Sequence, residues 1–431
     1  MKILFIACYS PLINNSASIE TLQYLNNLAK INNNEIHLLT VNFPPNSIYY
    51  DEYILNMLDS KVILHVISGG ILFEKIMPKK KYNVVKAENS DISNSRLKHR
   101  IKGLLRKVKR LLAIPDMYLY WAIKASNYAI RLMKNEKFDV MFSMHEPPSS
   151  HICAYRIKKK YNKLKWIAYW SDPWLKDSTR EASSFIRRKI EAGFERKIIK
   201  LANKHIFVTK ANRDDYIKTY NLDKHNTYII TRGYDSKLYD EIKNLDSPVL
   251  INNDKINIVY AGEIFSKLRD IRPFISSIKN IKEKNIDLYN KLNILFFGNI
   301  DNDEVKNELI KIENAKVYNR IPYKEALGYM LNADILLLFG NKNSKQIPAK
   351  IYDYFGCCAY ILVILGDEND PIIDVVSNKE KCKISANKSD DIQKAIMELS
   401  DKITKGDKSK EIHEYEWENI SKRLDSILRE D

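Results

Sequence analysis

The chain opens with KILFIAC, passes through a polar loop into SIETLQYLNNLAKI, whose apolar positions recur every three or four residues, and returns to an apolar run, EIHLLTV. An unbroken apolar run marks a strand buried on both faces, and a period near 3.6 marks a helix lying on such a sheet. The alternation resumes with KFDVMFSM, SSHICAYRIKKKY, KWIAYW, a long helix from about Phe185 to Ala202, HIFVT, ANRDDYIKTY and TYIIT. It pauses at NLDSPVLINNDK, a polar stretch without periodicity that reads as a linker. Then it starts again with INIVYAGEI, KLNILFFGNI, AKVYNRI, ADILLLFG and AYILVIL, separated by helical spacings.

Strands and helices in this order imply α/β architecture, parallel sheets covered by helices on both faces. A chain of 431 residues exceeds the roughly 250 to 300 that one core sustains. Two doubly wound, Rossmann-like domains facing a cleft are therefore expected, at 1–243 and 254–408. Residues 409–431 carry Trp417, Ile420, Leu424 and Ile427 at helical spacing and are expected to pack back toward the first domain. Ligands in such sheets bind outside the carboxyl ends of the strands, so the loops after the apolar runs are where chemistry should gather.

The net charge of +16 points to an anionic partner, but the chain is rich in Lys, Asn and Ile with only 12 glycines, so only clustered charge is informative. One cluster qualifies. Residues 96–112 interleave Lys and Arg with Leu97, Ile101, Leu104, Leu105, Val108, Leu111 and Leu112, a basic amphipathic helix. It either docks on an anionic membrane surface or lays its apolar stripe on the first domain. Its leucines, and the lack of a known nucleic-acid module, argue against nucleic acid as partner. No run of about 18 apolar residues and no leader pattern is read, so the expected location is cytoplasmic, with peripheral attachment to the inner face of the membrane if the basic helix docks there. The five cysteines show no C-x-x-C spacing and read as ordinary thiols.

The loops hold the candidates. In KQIPAKIYDYFG, Pro348 suits the first turn of a helix whose free amides would face an anion. Lys350 and Asp353, three apart, share a face; they suit a phosphate and a ribose, or else form a solvated ion pair. In YAGEIFSKLRDIR, Gly262 allows a close approach, and Lys267, Arg269 and Arg272 could stabilise charge on a departing phosphate. In SMHEPPSSH, His145 and Glu146 follow a strand, with serines suited to cap the next helix. His151 falls six positions after His145, so no H-E-x-x-H zinc motif is present and no metal is expected. In YWSDPW, Asp172 stands between two tryptophans as a general base, or as a cap with both rings in the core. There is no G-x-G-x-x-G and no Walker lysine motif, which argues against nicotinamide and ATP cofactors; none is expected.

Taken in order, SMHEPPSSH, IPDMYLYW, YWSDPW, TRGYDSKLY, VYAGEI, QIPAKIYDYFG and EYEWENISKRL make the chain resemble bacterial GT-B glycosyltransferases of the family 4-like group, over almost its whole length. The resemblance implies a metal-independent hexosyltransferase that moves sugar from a nucleotide diphosphate sugar to a glycan or lipid-linked glycan in surface polysaccharide synthesis. It implies donor phosphate binding by Lys267, Arg269 and Lys350, ribose binding by Asp353, and nucleobase contact near the backbone of Arg320 and Ile321. Gly262, Gln346 and Ser16 would line the donor loops, and Asp172, His145 and Glu146 would act on the acceptor side. Lys345 stands where the group has its first motif glutamate, and Ser16, Ala17 and Ser18 where it often has a glycine pair. Those departures keep open a GT-B platform without transfer activity, and a sugar-nucleotide epimerase of related architecture is a further alternative.

Overall fold

The computed structural model describes residues 1–13, 15–47, 49–77, 114–176 and 184–430. The basic stretch 96–112 lies outside the described residues. The chain forms two compact units, one of Met1–Ile230 with Ser421–Asp431, the other of Thr231–Ile420. The division falls at Ile230, not in the polar stretch 244–255, because Tyr234 and Tyr239 are built into the core of the second unit. The end of the chain from Ser421 is part of the first unit.

Unit 1 is a seven-stranded parallel sheet of β1 (Lys2–Ile6), β2 (Glu35–Asn42), β3 (Val62–Ser68), β4 (Val140–Met144), β5 (Lys165–Trp170), β6 (Lys204–Phe207) and β7 (Thr227–Ile229). Their spatial order is β3-β2-β1-β4-β5-β6-β7. Unit 2 is a six-stranded parallel sheet of β8 (Ile256–Ala261), β9 (Leu292–Phe297), β10 (Ala315–Tyr318), β11 (Ile335–Phe339), β12 (Tyr360–Ile364) and β13 (Cys382–Ser385), ordered β10-β9-β8-β11-β12-β13. In each sheet the winding reverses once, between β1 and β4 and between β8 and β11. Such a reversal opens a crevice at the carboxyl ends of the two strands, because the connections leave in opposite directions.

The central strands are the continuous apolar runs and are buried throughout, as with ILLLF of β11 and YILVI of β12. The edge strands β3 and β13 are not foreseen by that pattern, since only one residue in each of VILHVIS and CKIS is fully buried. The terminal residues of unit 1 are held by polar contacts as well as by Leu424 and Leu428. Asn34 donates to Asp425 Oδ1 at 2.8 Å, and Arg423 donates to the Ile229 carbonyl at 3.1 Å.

The helix Phe185–Leu201 is capped by Ser184, whose side chain accepts from the Arg187 amide. It turns Glu191 and Glu195 inward, each 1% exposed. Glu195 accepts from Tyr216, and burial pushes its carboxyl up to about 7, partly opposed by bonds from Tyr216 and Tyr220 and by the Lys176 charge. A carboxyl that ionises less readily when folded makes the folded state bind more protons than the unfolded one between about 4.5 and 7. Stability from this site is thus complete below about 4.5 and is lost as the pH rises through 7. Glu195→Gln should therefore melt higher than the wild type at pH 8 and no higher at pH 4, which parallel thermal melts would check.

Candidate functional site

Unit 2 places the glycine loop after β8 and the lysine loop after β11 side by side at the reversal point. The short helix there is Lys350–Phe355, preceded by Ala349. Pro348 therefore stands at the opening of the turn, one residue ahead of Ala349. Its carbonyl accepts from the Ile351 amide at 3.2 Å, and the Ala349 carbonyl accepts from Tyr352 at 3.2 Å. The amides of Ile351 and Tyr352 are used in this way, and the side chain of Lys350 is what the turn presents.

The Lys350 ammonium sits 3.9 Å above the centre of the Tyr260 ring and has no hydrogen-bond partner. Burial, with the Arg269 charge second, holds its pKa well below the usual lysine value. A desolvated cation on an aromatic face recovers about 2 kcal/mol, which falls short of replacing lost hydration. It is not bonded to Asp353, so the solvated ion pair is not formed. Gly262 makes room for this amine: a side chain there would start 2.0 Å from Lys350 Nζ, and its backbone φ is 151°. The positive φ is what calls for glycine here, and the missing side chain leaves the space that the lysine tip occupies.

Arg269 is fixed beside it. Its Nε donates to Asn341 Oδ1 at 3.0 Å and Nη1 to the Glu263 carbonyl at 2.8 Å. The Tyr260 hydroxyl donates to the same carbonyl at 3.0 Å. Lys267 stays exposed near Asp301, and Arg272 pairs with Asp270 at 2.7 Å on the surface. The two loops therefore bring together Gly262, Arg269 and Lys350, and leave Lys267 and Arg272 outside that group.

Asp353 keeps part of its surface open although protein surrounds the carboxylate. Its Oδ1 accepts from Tyr239 at 3.4 Å and from Tyr323 at 3.5 Å. Burial pushes its carboxyl up to about 6, against the Tyr239 bond and the charges of Arg232 and Lys350. At the other end of the helix Lys381 Nζ donates to the Lys410 carbonyl at 3.1 Å and to that of Cys357, so a buried cation serves the carbonyl-rich terminus. Gln346 is engaged through its backbone, whose carbonyl accepts from Asn341 at 3.1 Å. Arg320 is exposed and Ile321 half-buried in the loop between β10 and the helix Tyr323–Leu331.

Tyr260, Asn341, Tyr239 and Tyr323 were not singled out by sequence. The only local signal was a tyrosine at the end of the apolar run INIVYA, immediately before the glycine loop.

Unit 1 has its own reversal point. The loop after β1 and the helix after β4 are joined by the Cys8 amide donating to Ser150 Oγ at 3.0 Å. Ser149 and Ser150 do not cap that helix; the Ser149 amide instead donates to Asp116 Oδ2 at 3.0 Å, so Asp116 supplies the acceptor. Glu146 is half-buried, with φ of 81°, close enough to Tyr9 to raise its pKa alongside burial. His145 is buried, its ring 5.6 Å from Trp170 and 5.9 Å from Trp174. Both tryptophans lie in the core, so they offer no open face to a sugar. Asp172 is half-buried in the next loop, which is tied to His145 by Ser171 Oγ donating to the His145 carbonyl at 3.0 Å. His151 lies 2.8 Å from Ser143 Oγ and is pushed down to about 3 by burial, which suits a core histidine. Ser16 is exposed at the start of the helix Ser16–Lys30, which Asn15 caps.

Glu35, His37 and Glu136 are grouped like metal ligands at the opposite, amino edge of the sheet. Lys2 already pairs there with Glu35, at 2.9 Å, and with Glu136, so a cation is in place. Among the described residues no helix is long and apolar enough to cross a membrane.

The family model for glycosyltransferase family 4 matches residues 83–238. No curated protein matches in sequence. A glycosyltransferase from Rickettsia africae ESF-5 has a TM-score of 0.59 at 11% identity, covering 99% of this chain and 97% of its own. Anabaena HepE in complex with UDP has a TM-score of 0.58 at 9% identity, with 99% and 95% covered. A UDP-N-acetylglucosamine 2-epimerase has a TM-score of 0.53 at 9% identity, with 98% and 94% covered.

Proposed function

We propose that this chain, which has a GT-B glycosyltransferase family 4-like fold, transfers a sugar from a nucleoside diphosphate sugar to a glycan or lipid-linked glycan acceptor in surface polysaccharide synthesis. One observation carries the reading. Lys350 is a desolvated ammonium without a partner, next to Arg269, at the reversal point of the second sheet. A diphosphate supplies the missing counter-charge. When the bond between sugar and diphosphate breaks, negative charge grows on the leaving oxygen, and two fixed cations stabilise it without reorganisation. On this reading they do what a metal ion would otherwise do. Asp353 accepts from the ribose hydroxyls, and Glu146 or Asp172 in unit 1 takes the acceptor proton. The UDP held by HepE makes uridine the first base to test.

The likeness to an epimerase supports a second reading, in which the same donor site changes the sugar without an acceptor. Thermal shift against UDP, GDP, ADP, CDP and dTDP tests the donor site common to both. A nucleotide at a hundred times its Kd should add about 2.7 kcal/mol, or roughly 2 to 4 °C in Tm. If none of the five moves the melting point, the donor site is not where we place it. Epimerised sugar nucleotide released without acceptor would select the second reading over the first.

A further inference from the structure

The helix Phe185–Leu201 has an outward face that nothing in the catalytic proposal uses. Phe185 is 79% exposed, Ile186 66% and Ile190 42%, all within the first two turns. At 100° per residue these three share one side with Lys189, Gly193, Arg196 and Lys197. Lys200 falls on the same side, and all four cations are exposed. A Cβ added at Gly193 would touch nothing within 4 Å, so the middle of this face is open. Both glutamates of the helix are turned inward: Glu191 pairs with Arg187 at 2.7 Å, and Glu195 bonds Tyr216. The outward side is therefore apolar and cationic with no acid on it.

That combination selects among occupants. A solvated helix would keep its acids outside and its phenylalanine inside. A second copy of the chain would oppose four cations to four cations, which repel. A protein core would not take in four lysine or arginine heads unpaired. An anionic bilayer satisfies both halves: apolar side chains enter the boundary between headgroups and acyl chains, and the cations remain among the lipid phosphates. Arg187 also donates to the Pro115 carbonyl, which anchors the exposed turn to the body of unit 1.

We infer that the outward face of the helix Phe185–Leu201 docks on an anionic membrane surface, with Phe185, Ile186 and Ile190 inserted and Lys189, Arg196 and Lys197 against the headgroups. The inference does not depend on the donor site, since it can be read without any nucleotide.

Flotation of the full-length protein with phosphatidylcholine vesicles, with and without phosphatidylglycerol, is the test. Wild type should float with the anionic vesicles and not with the neutral ones. The triple variant Phe185→Ser, Ile186→Ser, Ile190→Ser should lose binding at least about tenfold while its Tm and its nucleotide response stay as in wild type, because these side chains are exposed. The variant Lys189→Ser, Arg196→Ser, Lys197→Ser should lose binding at low salt by a similar factor. The inference is overturned if wild type does not float, or if the apolar triple variant floats undiminished, which would assign binding to another part of the chain. It is equally overturned if wild type ignores vesicles and the cationic variant instead loses affinity for a short DNA duplex.

Discussion

Lys350→Met should make the protein melt at a higher temperature and, in the same variant, cut the stabilisation that a nucleoside diphosphate gives the wild type to about half or less. The first effect follows from the unfilled hydrogen bonds of the ammonium, since a buried cation without a partner costs several kcal/mol that an apolar chain of similar length does not. A lysine whose folded pKa is lowered leaves the unfolded state binding more protons, at every pH between that lowered value and the ordinary 10.5. Wild-type stability should therefore rise with pH over that window, while the methionine variant shows no such rise. The second effect follows from the loss of a charge-assisted bond to phosphate, about 1.5 to 3 kcal/mol or roughly 10- to 150-fold in Kd. Thermal melts with and without nucleotide at pH 7 and 9 read both. A variant that melts lower and responds to nucleotide as the wild type does would show Lys350 to be a structural residue.

Asp353→Ala should weaken nucleotide affinity by about 10- to 100-fold, the value of bonds from two hydroxyls to one carboxylate in an enclosed site. The pH dependence separates this from a folding defect. Protonation near pH 6 removes the charge that holds the ribose, so wild-type affinity should fall as the pH drops through about 6. The phosphate of the ligand titrates in the same region, and the alanine variant isolates that contribution. Subtraction of the two profiles should leave one titration near 6. Identical profiles would remove Asp353 from ribose binding. Tyr239 and Tyr323 lose an acceptor in this variant, so a small drop in Tm is expected in addition.

What the sequence disclosed about the fold follows from burial. The strands buried on both faces announce themselves as unbroken apolar runs, and KILFIAC, KWIAYW, ADILLLFG and AYILVIL each become one. The edge strands β3 and β13, partly open to solvent, lack that run and escape notice. The boundary between units falls at Ile230, ahead of the polar stretch NLDSPVLINNDK that looks like the linker, because TRGYDSKLY already supplies the buried Tyr234 and Tyr239 to the second unit.

The site was legible only in part, for a related reason. Gly262, Lys350 and Asp353 stand in short motifs next to strand ends, where position alone suggests a role. What surrounds them comes from far along the chain: Arg269 bonds Asn341, 72 residues on, and Asp353 meets Tyr239, 114 residues back. No local period encodes such pairs. Pro348 opens the turn that leads into the helix, as its position in the motif suggests, whereas Ser149 and Ser150 do not cap theirs, because Asp116 does that work. Of the proposed acceptor-side residues, the structure buries His145 among tryptophans and leaves Glu146 and Asp172 half open.

The claim on which the rest depends is that an unpaired amine waits for a diphosphate. Titration calorimetry of the whole chain with UDP at pH 8, repeated in HEPES and in Tris, measures the protons exchanged on binding. A phosphate drawn against Lys350 raises its pKa back toward the ordinary value, so any proton exchange tied to this group is an uptake, and Lys350→Met should lose it and bind UDP about 10- to 150-fold more weakly. The same affinity, with the same proton exchange, in the methionine variant would contradict it.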